Sequence, residues 1–410
     1  MDMSSQFGRR GFLAGAFGAA ATVGVAGVMA ACDDSQAETA NAAVAFFGTH
    51  QAGITTPAQD RLAFAAFDVT TTNKQELIAL LKTWTVAAEK MSAGLPIGTV
   101  DGSDEHVASD TGEAVGLPPA RLTLTIGFGP TLFDTRFGLA NSRPAALVAL
   151  PGFANDELDP ESSDGDLCIQ ACADDPQVAY HAIRNLNRLG LGVVRLRWFQ
   201  LGFGRTSSTS STQQTPRNLL GFKDGTRNIV GEDATALTNH VWVGDESDQA
   251  WLNGGSYLVT RRIRMSIEAW DRDRIGDQQA VIGRTKVEGA PLTGSREHDE
   301  PDLNRRDDKG QYVIPADSHI RLAAPESNND IRILRRGYSF TDGVDQLTGQ
   351  LDAGLFFICF QKDPRTGFIP VQNKLSTDML NEYIKHVGSA LYACPAGVQR
   401  GEYWGQALFA

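Results

Sequence analysis

The sequence predicts an α+β protein built from two related β-α-β-β-α-β halves, with antiparallel sheets and helices packed on them. Three observations carry this. Strand and helix signals follow one another in that order along the first half of the chain. A Ser/Thr/Gln-rich break at residues 207–216 (SSTSSTQQTP) separates them from a second run of strand signals. A weak internal repeat pairs Leu167 with Leu355, Asp175-Pro176 with Asp363-Pro364 and Asn185 with Asn373 at one constant offset.

Residues 61–70 (RLAFAAFDVT) form a β-type run. An amphipathic helix follows, with Asn73 as its cap and Glu76 three positions on, a capping-box arrangement. Leu77, Leu80, Leu81, Trp84, Ala87, Ala88 and Met91 fall on one face of it. Residues 122–128 and 167–173 are the next two strands. Asp175 and Pro176, as N-cap and first helical residue, start a second helix that runs to Gly190. Residues 193–200 (VVRLRWFQ) close the half. This order is the ferredoxin-like pattern. Beyond the break, strands are expected at 256–267, 331–340 and 354–361. Gly367 and Pro370 argue against a regular helix after the last of these, and a helix at about 376–386 is expected in its place.

The chain has 410 residues, 42% hydrophobic and 21% charged, enough for two domains with ordinary cores. The net charge of −12 and the absence of a dense Lys/Arg block exclude nucleic acid as a partner. Five cysteines exclude a disulfide scaffold, and neither C-x-x-C nor H-E-x-x-H is present. Residues 8–13 (GRRGFL), with Arg9 and Arg10, resemble the core of a twin-arginine export signal, and a weakly apolar run extends to Ala31. The expected plan is a signal peptide at 1–31, a tether at 32–43, an N-terminal domain at 44–215 and a C-terminal domain at 216–410. Such a leader places the protein in the periplasm or outside the cell. Cys32, after Met29-Ala30-Ala31, loosely resembles a lipidation site; modified there, the protein would be membrane-anchored, and otherwise 32–43 is a free tether.

Three segments carry candidate chemistry. In Gly221-Phe222-Lys223-Asp224-Gly225-Thr226-Arg227-Asn228, glycines flank an aspartate in a tight loop. Asp317-Ser318-His319-Ile320-Arg321-Leu322-Ala323-Ala324-Pro325 places a histidine at the head of a short apolar run. Ile333-Leu334-Arg335-Arg336-Gly337-Tyr338 brings two arginines to the entrance of a strand. Each alone is weak, since a Gly-flanked Asp is usually a plain turn and a single His usually a surface or core residue.

Together the three segments resemble the dye-decolorising peroxidase family, and within it the bacterial, twin-arginine-exported deferrochelatase/peroxidase branch. The likeness extends over nearly the whole mature chain. It includes residues 47–57 (FGTHQAGITTP), 150–153 (LPGF), 166–173, 282–284 (IGR), 289–294 (GAPLTG), 388–391 (GSAL) and 401–404 (GEYW). The resemblance implies two ferredoxin-like halves with one haem b in the C-terminal half. It implies His319 as the proximal iron ligand, Asp224 as distal acid/base and Arg335 as distal arginine. Gly225, Thr226, Arg227, Ala324, Pro325 and Glu326 match segments that line the haem. The implied substrates are hydrogen peroxide and small aromatic donors, phenols or dyes, oxidised one electron at a time. The branch has also been proposed to release iron from haem with the porphyrin intact, which would bring iron-uptake partners. A non-catalytic haem carrier would need His319 but no Asp224–Arg335 pair.

The residue types suit that chemistry. A carboxylate can take a proton from one peroxide oxygen and return it to the other. A guanidinium steadies the charge on the departing oxygen. His319 needs an acceptor for its second ring nitrogen, for which Asp352, Asp363 or a backbone carbonyl are the candidates. Arg227 and Arg321 are candidates either for a haem propionate or for surface salt bridges. His50, His106, His181, His240, His298 and His386 lack the context of His319 and read as non-ligands. Cys168, Cys172, Cys359 and Cys394 read as buried packing thiols. A homodimer is the expected assembly, on the prevalence of symmetric homo-oligomers.

Overall fold

The computed structural model describes residues 42–102, 104–346 and 348–410. The expected export signal with Arg9 and Arg10, and Cys32 with nearly all of the expected tether, lie outside these residues. Among the described residues no helix is long and apolar enough to cross a membrane.

The first half follows the expected order: β1 (Arg61–Val69), α1 (Lys74–Ser92), β2 (Thr123–Phe128), β3 (Leu167–Ala173), α2 (Pro176–Leu189) and β4 (Val194–Arg205). Asn73 caps α1 by accepting from the Gln75 N–H (2.9 Å). The capping box is rerouted through Thr71, whose hydroxyl takes the Asn73 N–H (3.0 Å) and donates to Glu76. All seven residues of the expected apolar face of α1 are buried. Asp175 caps α2 by accepting from the Gln177 and Val178 N–H groups, with Pro176 at the first helical position.

The second half contains α3 (Ala234–His240), β5 (Ser256–Met265), α4 (Ile267–Trp270), α5 (Ile275–Ile282), α6 (His319–Ala323), β6 (Leu334–Arg335), β7 (Tyr338–Val344), β8 (Leu351–Gln361), α7 (Phe368–Lys374), β9 (Ile384–Cys394) and α8 (Gln406–Phe409). The strand expected over 331–340 is two strands separated by Arg336 and Gly337. At Gly337 a Cβ would meet Thr206 Oγ1 at 2.7 Å and the Phe356 carbonyl at 3.3 Å, so only glycine fits that approach. Two expectations at the C-terminal end are overturned. A helix does follow β8: Gly367 precedes it and Pro370 lies in its first turn, where no N–H is required. Residues 376–386 are not a helix but two 3₁₀ turns leading into β9.

Both halves show the same strand order, β4-β1-β3-β2 in the first and β9-β5-β8-β6/β7 in the second, so the duplication is topological. The sheets do not remain apart. β4 pairs with β7 and β2 with β9, and β5 with β8 closes eight strands into a barrel on which β6 is a ninth, added to β8. Alternation sorts the side chains. Leu62, Phe64, Cys168, Cys172, Tyr338, Phe356, Ile358, Tyr392 and Cys394 fill the interior. Ala63, Ala65 and Phe67 face outward and pack with α1 and α2. Among the described residues Cys168, Cys172, Cys359 and Cys394 are free and buried, as packing thiols.

The 207–216 break is not a solvated linker. Thr206 to Ser210 are buried. Three of their hydroxyls donate inside: Thr209 to the Thr56 carbonyl (2.8 Å), Ser208 to the Gln214 carbonyl (2.8 Å) and Ser210 to Glu232 (2.5 Å). Small hydroxyls can be buried at little cost when they find partners.

Candidate functional site

In the first half the outer face of the sheet is filled by two long helices. In the second the covering helices are short, and a cavity of about 1690 Å³, including its open mouth, remains over the outer face of β9, β5 and β8. Ile263, Met265, Leu355, Phe357 and Ile384 form its apolar floor, and Ile282, Ala323, Phe368 and Leu380 its flanks. Asp224, His319 and Arg335, from three separate segments, all line it, as do Gly225, Thr226, Arg227, Ala324 and Pro325. Glu326 is not among the lining residues. It forms a two-bonded ion pair with Arg227 (2.6 and 3.1 Å), which raises the arginine pKa and lowers that of the glutamate.

Asp224 projects from the loop before α3. Gly221 and Gly225 on either side have φ of +82° and +87°. A Cβ on Gly225 would also come within 2.9 Å of the Ser207 backbone, so the loop needs glycine there for two reasons. The Asp224 N–H donates to the Pro216 carbonyl (2.9 Å). Its carboxylate accepts from Arg335 Nη1 at Oδ1 (2.7 Å) and from Asn218 Nδ2 at Oδ2 (3.3 Å). Arg335 ends β6, whose pairing with Cys359 on β8 holds its backbone at the cavity edge. Acid and guanidinium thus face the cavity as one charge-assisted pair.

His319 opens α6, behind Ser318, whose hydroxyl donates to the Pro315 carbonyl (2.9 Å). Its Nδ1 lies 2.6 Å from Asp378 Oδ2. A carboxylate only accepts, so Nδ1 carries the proton and donates, leaving Nε2 as the unprotonated nitrogen of the neutral ring. Asp378 is 5% exposed and also accepts from the Leu380 N–H (2.9 Å). Burial disfavours a charged imidazole here, but the charge and hydrogen bond of Asp378 outweigh it, and the His319 pKa is raised.

The acceptor for His319 is therefore Asp378, not Asp352 or Asp363. Asp352 accepts from Arg262 (2.8 Å) and Asp363 from Arg365 (2.7 Å). Nothing local in the sequence marks Asp378, because it meets His319 only through the tertiary fold. Arg321 turns its guanidinium to the Ile314 and Pro315 carbonyls and over the Tyr312 ring, away from a ligand role. His386, which lacks the sequence context of His319, nevertheless lines the cavity, buried beside Arg261 and Asp156. Burial, and then the Arg261 charge, push its pKa down to about 3. Arg284, within the 282–284 segment but given no role by the sequence, is another buried residue of the wall; it donates to the Gly289 and Glu297 carbonyls.

The chain is 39% identical over 370 residues to the deferrochelatase of Escherichia coli, covering 88% of this chain and 86% of that protein. It superposes on an oxyferrous complex of DtpA from Streptomyces lividans with a TM-score of 0.82 and 41% identity, covering 90% of this chain and 98% of that one. A DyP-type peroxidase from Cellulomonas bogoriensis matches with a TM-score of 0.81 and 40% identity over 90% and 99% of the two chains. The N-terminal and C-terminal domains described as Dyp-type peroxidase match residues 51–204 and 215–399. With both domains matched along most of its length, the chain belongs to the Dyp-type peroxidase family.

Proposed function

We propose that His319 holds haem iron in this cavity and that Asp224 and Arg335 activate hydrogen peroxide beside it. By family the protein is a haem-dependent peroxidase; the residue roles are our reading. The donor set fits the cofactor: one neutral imidazole with Nε2 free, backed by a buried carboxylate, in a cavity with a broad apolar floor. Gly225, Thr226, Arg227, Ala324 and Pro325 would border the haem, and Arg227 is the one cation among them that could meet a propionate. When bound, haem supplies an iron centre that accepts the peroxide and carries its two oxidising equivalents.

The chain's own residues do the rest. Asp224 takes the proton from one peroxide oxygen and returns it to the other, which leaves as water. Arg335 stabilises the negative charge that develops on the departing oxygen, and it is already oriented by its bond to Asp224. Asp378 fixes the ring plane of His319 and strengthens Nε2 as a donor. Over a full cycle one peroxide takes up two protons and two electrons and leaves as two waters. The electrons come singly from small phenolic or dye-like donors. The observation that carries the reading is the convergence of the Asp224–Arg335 pair and the His319–Asp378 pair on one cavity. His319→Ala should lose most of its haem or hold it with an altered Soret band. Full occupancy with an unchanged band would overturn the ligand assignment.

The relatives called deferrochelatase favour a second reading of the same cavity, iron release from haem with the porphyrin intact. Anaerobic incubation with haem separates the two: free iron with fluorescent metal-free porphyrin supports release, and unchanged haem excludes it. Export through Arg9 and Arg10, anchoring at Cys32, a homodimer and iron-uptake partners belong to this proposal too. Arg9→Lys with Arg10→Lys should leave haem-loaded protein in the cytoplasm, and normal export of that variant would assign the leader to another route.

A further inference from the structure

We propose that Asn228 is a positioning residue that sets the geometry of the Asp224–Arg335 pair by acting as a surrogate strand beside β6. The proposal rests on the assignment of that pair as the peroxide-activating groups. The two side chains meet from segments 111 positions apart. Arg335 lies on a strand of two residues, bonded on one side only, to β8. Arg336 donates its N–H to the Ile358 carbonyl (2.8 Å) on that side, so by strand alternation the N–H and C=O of Arg335 face the open edge. A two-residue strand with a free edge is a poor platform for a side chain that must be placed to a fraction of an ångström.

Asn228 fills that edge. Its Oδ1 accepts from the Arg335 N–H (2.8 Å) and its Nδ2 donates to the Arg335 carbonyl (2.8 Å). A primary amide offers one acceptor and one donor side by side, as a neighbouring strand residue would. The second Nδ2 hydrogen goes to the Ser208 carbonyl (2.9 Å), which ties the bracket to the buried 206–210 segment. The Asn228 N–H in turn donates to the Gly225 carbonyl (3.0 Å), closing the turn that begins next to Asp224. The links form a ring: Asp224, the turn at Gly225, Asn228, the Arg335 backbone, and the Arg335 guanidinium back on Asp224. Asn228 does not line the cofactor cavity, so it acts through Arg335.

The test uses the haem-loaded protein with Asn228→Leu, which keeps the bulk and removes all three bonds, and Asn228→Asp, which keeps the acceptor and removes the donors. Two quantities are read: the bimolecular rate with hydrogen peroxide, and the affinity of the ferric protein for cyanide from the Soret shift. Asn228→Leu should lower the rate by about 10- to 100-fold and weaken cyanide binding about 10-fold, with a smaller loss for Asn228→Asp. In an Arg335→Leu background neither substitution should change the rate more than about 2-fold, because no guanidinium is left to position. Equal losses in both backgrounds would mean general loosening and would overturn the inference. So would wild-type rate and cyanide affinity in Asn228→Leu. If Asn228→Leu does not fold, Asn228→Asp carries the same comparison. A wild-type rate in Arg335→Leu itself would overturn the assignment of the pair and this inference with it, whereas loss there without loss at Asn228 overturns this inference alone.

Discussion

Replacing Asp378 by Asn keeps the shape of the side chain and removes its charge, which isolates what the buried carboxylate does for His319. The carboxamide oxygen of the Asp378→Asn variant could still accept from Nδ1–H, so a hydrogen bond survives, but between neutral groups. Charge-assisted bonds contribute ~1.5–3 kcal/mol against ~0.5–1.5 for neutral ones. The difference, about 1–2 kcal/mol, corresponds to roughly 5- to 30-fold in an equilibrium constant, within the ~10- to 100-fold range for partners of metal-bound histidines. The sign is set by the site: burial lowers the His319 pKa and Asp378 is what outweighs it, so without the anion the raised pKa should fall. Nε2 then becomes the weaker donor. The assay is a Soret titration of haem into the haem-free protein, with the reduction potential of the loaded form measured in parallel. Asp378→Asn should bind haem about 5- to 30-fold more weakly and have a higher potential, since a weaker donor favours ferrous iron. Unchanged affinity and potential would refute the argument that Asp378 tunes the ligand. Asp378→Ala should do worse, because it also strips the Leu380 N–H of its acceptor.

Two further outcomes follow from the site. His386 titrates near 6.5 in an unfolded chain but at about 3 in the fold, so between those values the unfolded state holds the additional proton. Its contribution to stability is complete above about pH 6.5 and is lost as the pH falls toward 3, about 2 kcal/mol between pH 7 and pH 5; denaturant titrations should show His386→Gln with a flatter dependence over that interval, and an unchanged slope would reject the assignment. Gly225→Ala puts a Cβ within 2.9 Å of the Ser207 backbone at a φ of +87°. It should destabilise the protein by more than ~1 kcal/mol and slow its reaction with peroxide, and a wild-type Tm and rate would show that the loop relaxes freely.

Much of this was written in local patterns. The strands of the first half declare themselves through apolar runs, α1 through its single buried face, and α2 through Asp175-Pro176. The segments around Asp224, His319 and Arg335 are each weak alone; they were legible only together, through their resemblance to the dye-decolorising peroxidase family. Contacts made by the tertiary fold were not legible. Asp378 is 59 positions from His319, and Asn228 meets Arg335 across 107. Pro370 misled because its penalty applies to a helix interior and not to a first turn. The 376–386 stretch misled because β9 begins at Ile384 and places only alternate residues toward the cavity. The polar 206–210 segment is buried by hydrogen bonds that composition does not reveal.

The central claim is that Asp224 and Arg335 together activate peroxide beside a haem held by His319. Its most direct test is the second-order rate of reaction with hydrogen peroxide, followed by stopped-flow absorbance, in haem-loaded Asp224→Asn and Arg335→Leu. Removal of a preorganised charge-stabilising donor, or of the acid/base, typically lowers a rate by ~100- to 1,000-fold. Each variant should fall by about that factor while keeping its haem and its His319 ligation. Rates within a few-fold of wild type in both would contradict the account, because the pair would then have no part in the chemistry.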